Sequence, residues 1–445
     1  MDKEYLIHER PLKALIVFAL PMMIGNLFQQ FYTMADSMVV GRFVSENALA
    51  AVGASYSLTN VFICIAIGGG VGASVITGRY FGARNYKKMK QSSYTALVAF
   101  LCLSIFLAVF GLLMSKNIMR LLNTPETILD MATQYLNVYF LGLPFLFMYN
   151  VLSAMFNAIG KSKIPLYLLI FSSILNILLD LYMVYILNMG VTGVAWATFI
   201  AQGVSAIISF VLFIKIISSH TVQHTSIFDG KELINMSRIA FPSILQQSTV
   251  AIGMMLVQSV VNSFGTQMLA GFSAAMRVES IAIVPMAAMG NAISSFTAQN
   301  MGAKEYERVR KGYQTSYSIV AFFAVLNCIV LEVLHNRIIS LFLGSDGTQV
   351  AQATGASYLK FMGWFFVLIG LKMITDGLLR GAGDMKVFTI ANLANLLIRV
   401  CFASIMAPRF GIAMVWYAVP IGWLTNYVIS FAQYRTGKWR EIEIK

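Results

Sequence analysis

Charge is scarce in this chain. Only 11% of its 445 residues are Asp, Glu, Lys or Arg, against roughly a quarter in a soluble domain. That excludes a water-facing globular fold, which would lack the polar surface to cover itself. Cysteine is scarcer still. Cys64, Cys102, Cys328 and Cys401 lie far apart inside apolar runs, which excludes a disulfide framework or a thiolate metal cluster and leaves small hydrophobes. The histidines, His8, His220, His224 and His335, show no ligand spacing. Gly68-Gly69-Gly70 with Gly72 lies within an apolar run, so it reads as a close helix-packing or hinge surface and not as a nucleotide loop. No constellation for nucleophilic or acid–base catalysis is present. The expectation is a protein that is not an enzyme and holds no cofactor.

What remains is hydrophobic. Apolar residues make up 58% of the chain, and the mean hydropathy is +0.73. The apolar runs reach about 20 residues or more, the length a helix needs to cross hydrocarbon roughly 30 Å thick. They lack strand-like alternation, which favours helices over a barrel. The pattern predicts an all-α membrane protein with twelve spans, at 12–40, 47–77, 92–114, 132–159, 164–187, 191–215, 235–263, 268–299, 314–342, 354–381, 386–407 and 411–434. The first run is too long for a cleavable signal peptide, and no small-residue cleavage site follows it.

The two halves repeat one another. Gly82-Ala83-Arg84-Asn85-Tyr86, with Lys87, Lys88 and Lys90 behind it, returns as Gly302-Ala303-Lys304-Glu305-Tyr306, with Arg308, Arg310 and Lys311 behind it, 220 residues later. Ala19-Leu20-Pro21 returns as Ala240-Phe241-Pro242, and Thr77 as Thr297. The division expected is a six-helix lobe at 1–217, a cytoplasmic linker at 218–232 and a second six-helix lobe at 233–445. An even number of spans per half gives both lobes one orientation, related by a pseudo-two-fold axis along the membrane normal, with a pathway between them.

The net charge of +13 invites a nucleic-acid reading, which its distribution argues against. With both termini in the cytoplasm, only Arg42, Lys116, Arg120, Arg337 and Arg409 fall on outer segments. Arg277, Lys360, Lys372 and Arg399 fall within spans, and every other Lys and Arg faces inward. This is the positive-inside bias of a cytoplasmic-membrane protein, with the basic loops against anionic headgroups of the lipid bilayer.

An ionisable group inside a span is a functional candidate by default, because burying it unpaired in hydrocarbon costs several kcal/mol. Asp36, Asp180, Asn176 (one turn from Asp180) and Thr198 all fall about 10 Å below the outer surface at 1.5 Å per residue. They converge most simply into one polar pocket in the first lobe. Two carboxylates close together in low dielectric cannot both ionise cheaply, so one holds a proton or a Na⁺ sits between Asp36 and Asp180. In the second half, Glu279 is two residues from Arg277, and Asp376 is four from both Lys372 and Arg380, so local neutralisation is expected there. Pro21, Pro144, Pro242, Pro285 and Pro420 interrupt spans and permit bends. Met254, Met255, Met276, Met286 and Met289 crowd the seventh and eighth spans, as in a cavity that accepts many shapes.

The order Leu20-Pro21, Ala35-Asp36-Ser37-Met38-Val39-Val40-Gly41-Arg42, Gly82-Ala83-Arg84-Asn85, Asn157-Ala158-Ile159-Gly160-Lys161-Ser162-Lys163-Ile164-Pro165 and Gly190-Val191-Thr192-Gly193-Val194-Ala195 resembles the multidrug and toxic compound extrusion (MATE) family over the whole chain. The resemblance implies a V-shaped twelve-helix fold and export of bulky, often cationic small-molecule organic substrates, with H⁺ or Na⁺ as coupling ion. It is nearest to the DinF-like and MepA-like branch. There Asp36 matches the first-span acid, Asn176 and Asp180 match an Asn-x-x-x-Asp pair, Thr198 matches the sixth-span Thr, and Pro21 matches the kink proline. Gln29, Asn150, Ser153 and Asn157 would complete the pocket, with Arg277, Glu279 and Arg399 as further candidate substrate contacts. The NorM-like branch places cation-binding acids in the second lobe, which leaves H⁺ and Na⁺ both open here. The resemblance implies a monomer in a bacterial cytoplasmic membrane. A lipid-linked oligosaccharide flippase of the same superfamily is the rival reading, since Arg277, Lys360 and Arg399 could face a pyrophosphate. The discriminator is the charge of the cavity.

Overall fold

The computed structural model describes residues 4–43, 46–219, 226–344 and 347–442; side chains at 35–43, 46, 48, 49 and 57 lie outside that description. Among the described residues the chain is a succession of helices: α1 (Tyr5–His8), α2 (Pro11–Phe43), α3 (Glu46–Gly82), α4 (Tyr86–Leu121), α5 (Glu126–Ala158), α6 (Lys163–Asp180), α7 (Gly190–Ser218) and α8 (Gly230–Asn262). There follow α9 (Thr266–Ala282), α10 (Val284–Gly302), α11 (Tyr306–Leu343), α12 (Gln349–Gly363), α13 (Phe366–Ala382), α14 (Met385–Phe410) and α15 (Ala413–Thr436). Nine of these are long and apolar enough to cross a membrane by themselves, and the bent pairs α9–α10 and α12–α13 bring the number to eleven. α15, with 24 residues, completes twelve helical segments.

The helices form because hydrocarbon offers the backbone no partner, so each N–H and C=O must be satisfied within its own segment. Their faces are inverted relative to a soluble protein. On α4, Leu103, Phe106, Phe110 and Leu113 are exposed, while Ser104, Ala108, Gly111 and Ser115 are buried. That buried stripe has the four-three-four spacing of one helix face, and its small side chains let neighbouring helices approach.

Close approach is tightest between α10 and α13. A Cβ on Gly377 would lie 2.1 Å from the Gly290 carbonyl, and one on Gly381 would lie 2.3 Å from the Ser294 carbonyl. The expected packing role of the glycines in α3 has the same form: Gly68 faces Ile244 and Gly72 faces Met236 and Ala240 of α8, each within 3 Å of an added Cβ.

The repeat is conformational as well as chemical. Arg84 and Lys304 both adopt left-handed backbone, as do Asn123 and Gly344, Gly160 and Gly383, and Gly190 and Gly411. Each of the first pair closes its helix with the same bonds. Asn85 N–H reaches Tyr80 O at 3.0 Å, and Glu305 N–H reaches Asn300 O at 2.8 Å, the six-to-one bond that satisfies terminal carbonyls.

By packing, the chain forms two compact units: Ile24–Ile244, and Met1–Met23 with Leu245–Lys445. The boundaries fall two residues past Pro21 and Pro242. Thus α2 begins in the carboxy-terminal unit and α8 in the amino-terminal one. Polar contacts hold both beginnings. Leu6 O accepts from Asn300 Nδ2 at 3.1 Å and from Arg308 Nη2 at 3.2 Å. Gln91 Nε2 donates to Asp229 Oδ2 at 3.0 Å, and Tyr80 OH donates to Glu232 Oε1 at 2.8 Å. Tyr80 and Asn300 are equivalent in the repeat.

The prolines behave differently from one another. Pro21, Pro144, Pro242 and Pro420 lie inside unbroken helices, so the expected interruption occurs only at Pro285, at the start of α10, where the chain bends by 41°. The sharper bend, 57° between α12 and α13, falls at Trp364-Phe365 and involves no proline. The methionines do not act as one group. Met286 and Met289 are fully buried core fillers, whereas Met254 and Met255 are exposed.

The α10–α13 contact gives a direct test. Gly377→Ala should abolish recovery of monodisperse protein in detergent, because the new methyl meets backbone that cannot move aside. Gly53→Ala, with nothing within 4 Å, should leave recovery intact and raise the unfolding midpoint slightly, since Ala exceeds Gly in helix propensity by about 1 kcal/mol. Equal behaviour of the two variants in size-exclusion chromatography would contradict this packing.

Candidate functional site

Three helices of the amino-terminal unit bring the site together. α2 supplies Tyr32, α6 supplies Asn176 and Asp180, and α7 supplies Thr198. Asn176 is 2% exposed and Asp180 0%. The two share a face of α6 because they stand one turn apart. Asn176 is the hub. Its amide lies 2.6 Å from Tyr32 OH and 3.2 Å from Thr198 Oγ1. With Nδ2 turned toward the carboxylate, it donates to Asp180 Oδ2 at 3.1 Å and to Tyr32 OH, and Oδ1 accepts from Thr198.

That orientation suits an ionised Asp180, which can only accept. A protonated Asp180 suits the opposite amide orientation. Its O–H then donates to Asn176 Oδ1, Tyr32 O–H donates to the same oxygen, and Nδ2 donates to Thr198 Oγ1. That orientation, however, turns Nδ2 toward the Thr198 backbone N–H, from which Oδ1 accepts at 3.0 Å in the first one, so the network compensates the ionised carboxylate. A group buried in low dielectric needs such compensation to exchange a proton or cation at all.

Directly after Asp180 the helix changes type. Leu181–Ile186 is π-helical, and Leu187 N–H bonds Tyr182 O at 3.1 Å, five residues back. Gly160 to Gly190 is a step two residues longer than Gly383 to Gly411, and all four glycines have positive φ. The π-helical turn lies within that longer step. Such turns arise by insertion and recur at functional sites.

Of the residues expected from sequence, Asn176, Asp180 and Thr198 come together. Asp36 lies on α2 one turn beyond Tyr32, but its side chain lies outside the described residues. Gln29 is on α2 and exposed. Asn150 turns its amide to Leu146 O of its own helix at 2.8 Å, and Ser153 and Asn157 follow on α5, half-buried. Tyr32 was missed by sequence reasoning. Its position one turn before Asp36 was the available signal.

In the carboxy-terminal unit the expected pairing of Glu279 with Arg277 does not form. Arg277 is exposed, because residues two apart on a helix point to opposite sides. Glu279 instead accepts from Tyr358 OH and lies within electrostatic reach of Arg399. Phe272 and Trp416 stack beside Tyr358 at 5.9 Å. Asp376 pairs with Lys372 at 2.9 Å, as expected. Arg380 turns away to Asn291 Oδ1 at 2.8 Å and Ser294 Oγ at 3.2 Å on α10. Among the described residues no three His, Cys, Asp or Glu side chains are grouped to hold a metal.

The MatE family model matches residues 21–182 and again 242–405, so both matched stretches begin at the paired prolines. The chain belongs to the MatE family. It is a multi-pass membrane protein of a transporter family. Among its relatives is a Bacillus subtilis protein, "Probable multidrug resistance protein YpnP", 28% identical over 97% of each chain. Another from the same organism, "Probable multidrug resistance protein YoeA", is 26% identical over 97% of this chain and 95% of its own. A solved structure described as an outward-facing multidrug resistance MATE family transporter superposes with a TM-score of 0.91 at 24% identity, covering 99% of each chain. That likeness concerns the fold.

A double-mutant cycle tests the hub. Tyr32→Phe should cost about 1–2 kcal/mol of thermal stability by leaving the Asn176 amide short of a partner. Asn176→Leu should cost more, about 3 kcal/mol, by stripping a buried carboxylate of its donor. In the double variant the costs should fall short of additivity by about 1 kcal/mol. Strict additivity in detergent unfolding would mean that the two residues do not interact.

Proposed function

We propose that the protein is a secondary active exporter of bulky, often cationic organic compounds, exchanging them for H⁺ or Na⁺ by alternating access. The observation that carries this reading is the Tyr32–Asn176–Asp180–Thr198 network, which holds a fully buried carboxylate among amide and hydroxyl partners. Asp36 completes the coupling site as its second carboxylate. The names of the relatives support the substrate class. Lys360, Lys372 and Arg399 support an exporter over a lipid-linked glycan flippase, because they have acidic neighbours. Lys372 meets Asp376, Lys360 meets Glu332 at 3.4 Å, and Arg399 lies near Glu279. The protein acts as a monomer in a bacterial cytoplasmic membrane with both termini inside.

The reading is tested in a drug-hypersensitive host, with and without an uncoupler. Asp36→Asn should abolish export while the protein still reaches the membrane. Asp180→Asn should alter the pH or Na⁺ dependence of efflux, because removing one carboxylate relaxes the other. A profile that superposes on that of the unmodified protein would separate Asp180 from coupling.

Orientation is tested with single cysteines at Asn85 and Glu305 in a chain lacking its four native ones. An even number of spans separates the two loops, and their Lys and Arg place them inside. An impermeant thiol reagent applied to intact cells should miss both. Labelling of either from outside would break the parallel repeat.

A further inference from the structure

A buried lysine closes an oxygen site in the carboxy-terminal unit. Lys372 and Asp376 stand one turn apart on α13, their side chains 6% and 4% exposed. Lys372 Nζ donates to Asp376 Oδ2 at 2.9 Å and to Asn392 Oδ1 of α14 at 3.3 Å. Asn392 Nδ2 returns to the same carboxylate oxygen at 3.3 Å, and Ser430 Oγ of α15 donates to Oδ1 at 3.1 Å. Ser430 also lies 3.5 Å from Asn426 Oδ1. The ammonium thus meets one carboxylate and one amide oxygen, and α14 and α15 hold that carboxylate through Asn392 and Ser430. An anionic pocket lined by oxygen is the environment in which hard cations bind.

The repeat shows that the charge here is an addition to a neutral frame. Gly160 and Gly383 mark equivalent helix ends, which aligns Lys372 and Asp376 with Tyr149 and Ser153. Gly190 and Gly411 do the same for the last helix of each half, which aligns Asn426 and Ser430 with Ser205 and Ser209. The amino-terminal unit therefore has only hydroxyls where the carboxy-terminal unit has an ion pair. At the positions of the amino-terminal network the charges also differ, since Asn176 aligns with Arg399 and Asp180 with Ala403. A carboxylate as buried as Asp376 needs a positive partner, since removing one member of a buried pair costs about 3–5 kcal/mol.

We propose that Lys372 is a tethered cation, its ammonium filling an oxygen site that would otherwise take a free monovalent cation. The carboxy-terminal unit thereby keeps its counter-charge through every turnover and exchanges none with solvent. Cation exchange is then confined to the unit that holds Asp180. This corollary rests on the coupling role proposed for Asp36 and Asp180, whereas the tethered cation does not.

The test is thermal unfolding of the purified full chain in detergent, in choline, Na⁺, K⁺ or methylammonium chloride at equal ionic strength. Lys372→Ala should unfold earlier in choline and recover by about 2 °C or more, saturably, when a small cation refills the vacated site. Adding Asp376→Asn should abolish that response. A cation response of the unmodified protein that Asp180→Asn removes belongs to the coupling site, so failure of one reading is distinguishable from failure of the other. Equal midpoints for Lys372→Ala in all four salts would overturn the proposal. If that variant does not accumulate, Lys372→Ala/Asp376→Asn should accumulate several-fold better, because the carboxylate needing a counter-charge is gone. A double variant that fares no better than the single one would overturn it equally.

Discussion

Hydrocarbon offers no hydrogen bonds, and the rest of this structure follows from that. Each backbone group must be satisfied within its helix, and each side-chain polar group by a neighbouring helix. The large apolar side chains therefore turn outward, and the small and polar ones turn in. Serine and glycine stripes such as that of α4 are the result. So is the α10–α13 contact, where backbone meets backbone because Gly290, Gly377 and Gly381 carry no side chain to intervene. Under the same constraint a buried charge persists only where several partners are built around it. Asp180 has the Asn176 amide, Asp376 has Lys372, Asn392 and Ser430, and Glu279 has Tyr358 and Arg399.

One frame, used twice, carries two chemistries. Residues of positive φ recur at matching places in both halves, so the turns are shared and the lengths differ by no more than a few residues. The interior side chains are not. The first half puts an amide and a carboxylate where the second puts Arg399 and Ala403, and hydroxyls where the second puts Lys372 and Asp376. Backbone geometry is fixed by turn chemistry at a few positions, which leaves the interior free to diverge. The asymmetry separates a carboxylate held by the Asn176 amide from one held by the Lys372 ammonium.

Much of the architecture was legible beforehand. The twelve segments follow from apolar runs of membrane-crossing length, and the repeat follows from Gly82-Ala83-Arg84 and Gly302-Ala303-Lys304. The convergence of Asn176, Asp180 and Thr198 was readable because span direction and residue count give depth. Bends were less legible. Four span-interior prolines sit in unbroken helices, while the sharpest bend falls at Trp364-Phe365. A missing backbone donor permits a bend, but neighbouring packing determines whether one forms. The π-helical turn was invisible because the longer step that contains it shows only when both halves are laid on the same glycines.

By itself the sequence determined class, span number, repeat and the helix face on which each candidate stands, since these depend on periodicity and hydropathy along one chain. Tertiary structure decided partnership. Glu279 joins Tyr358 and not Arg277, Arg380 joins α10 and not Asp376, and Tyr32 reaches Asn176. It also decided where packing divides the chain, just past Pro21 and Pro242. A side chain's partner depends on the rotation and closeness of a neighbouring helix, which the small residues between them set. Spacing along a single helix carries no record of either.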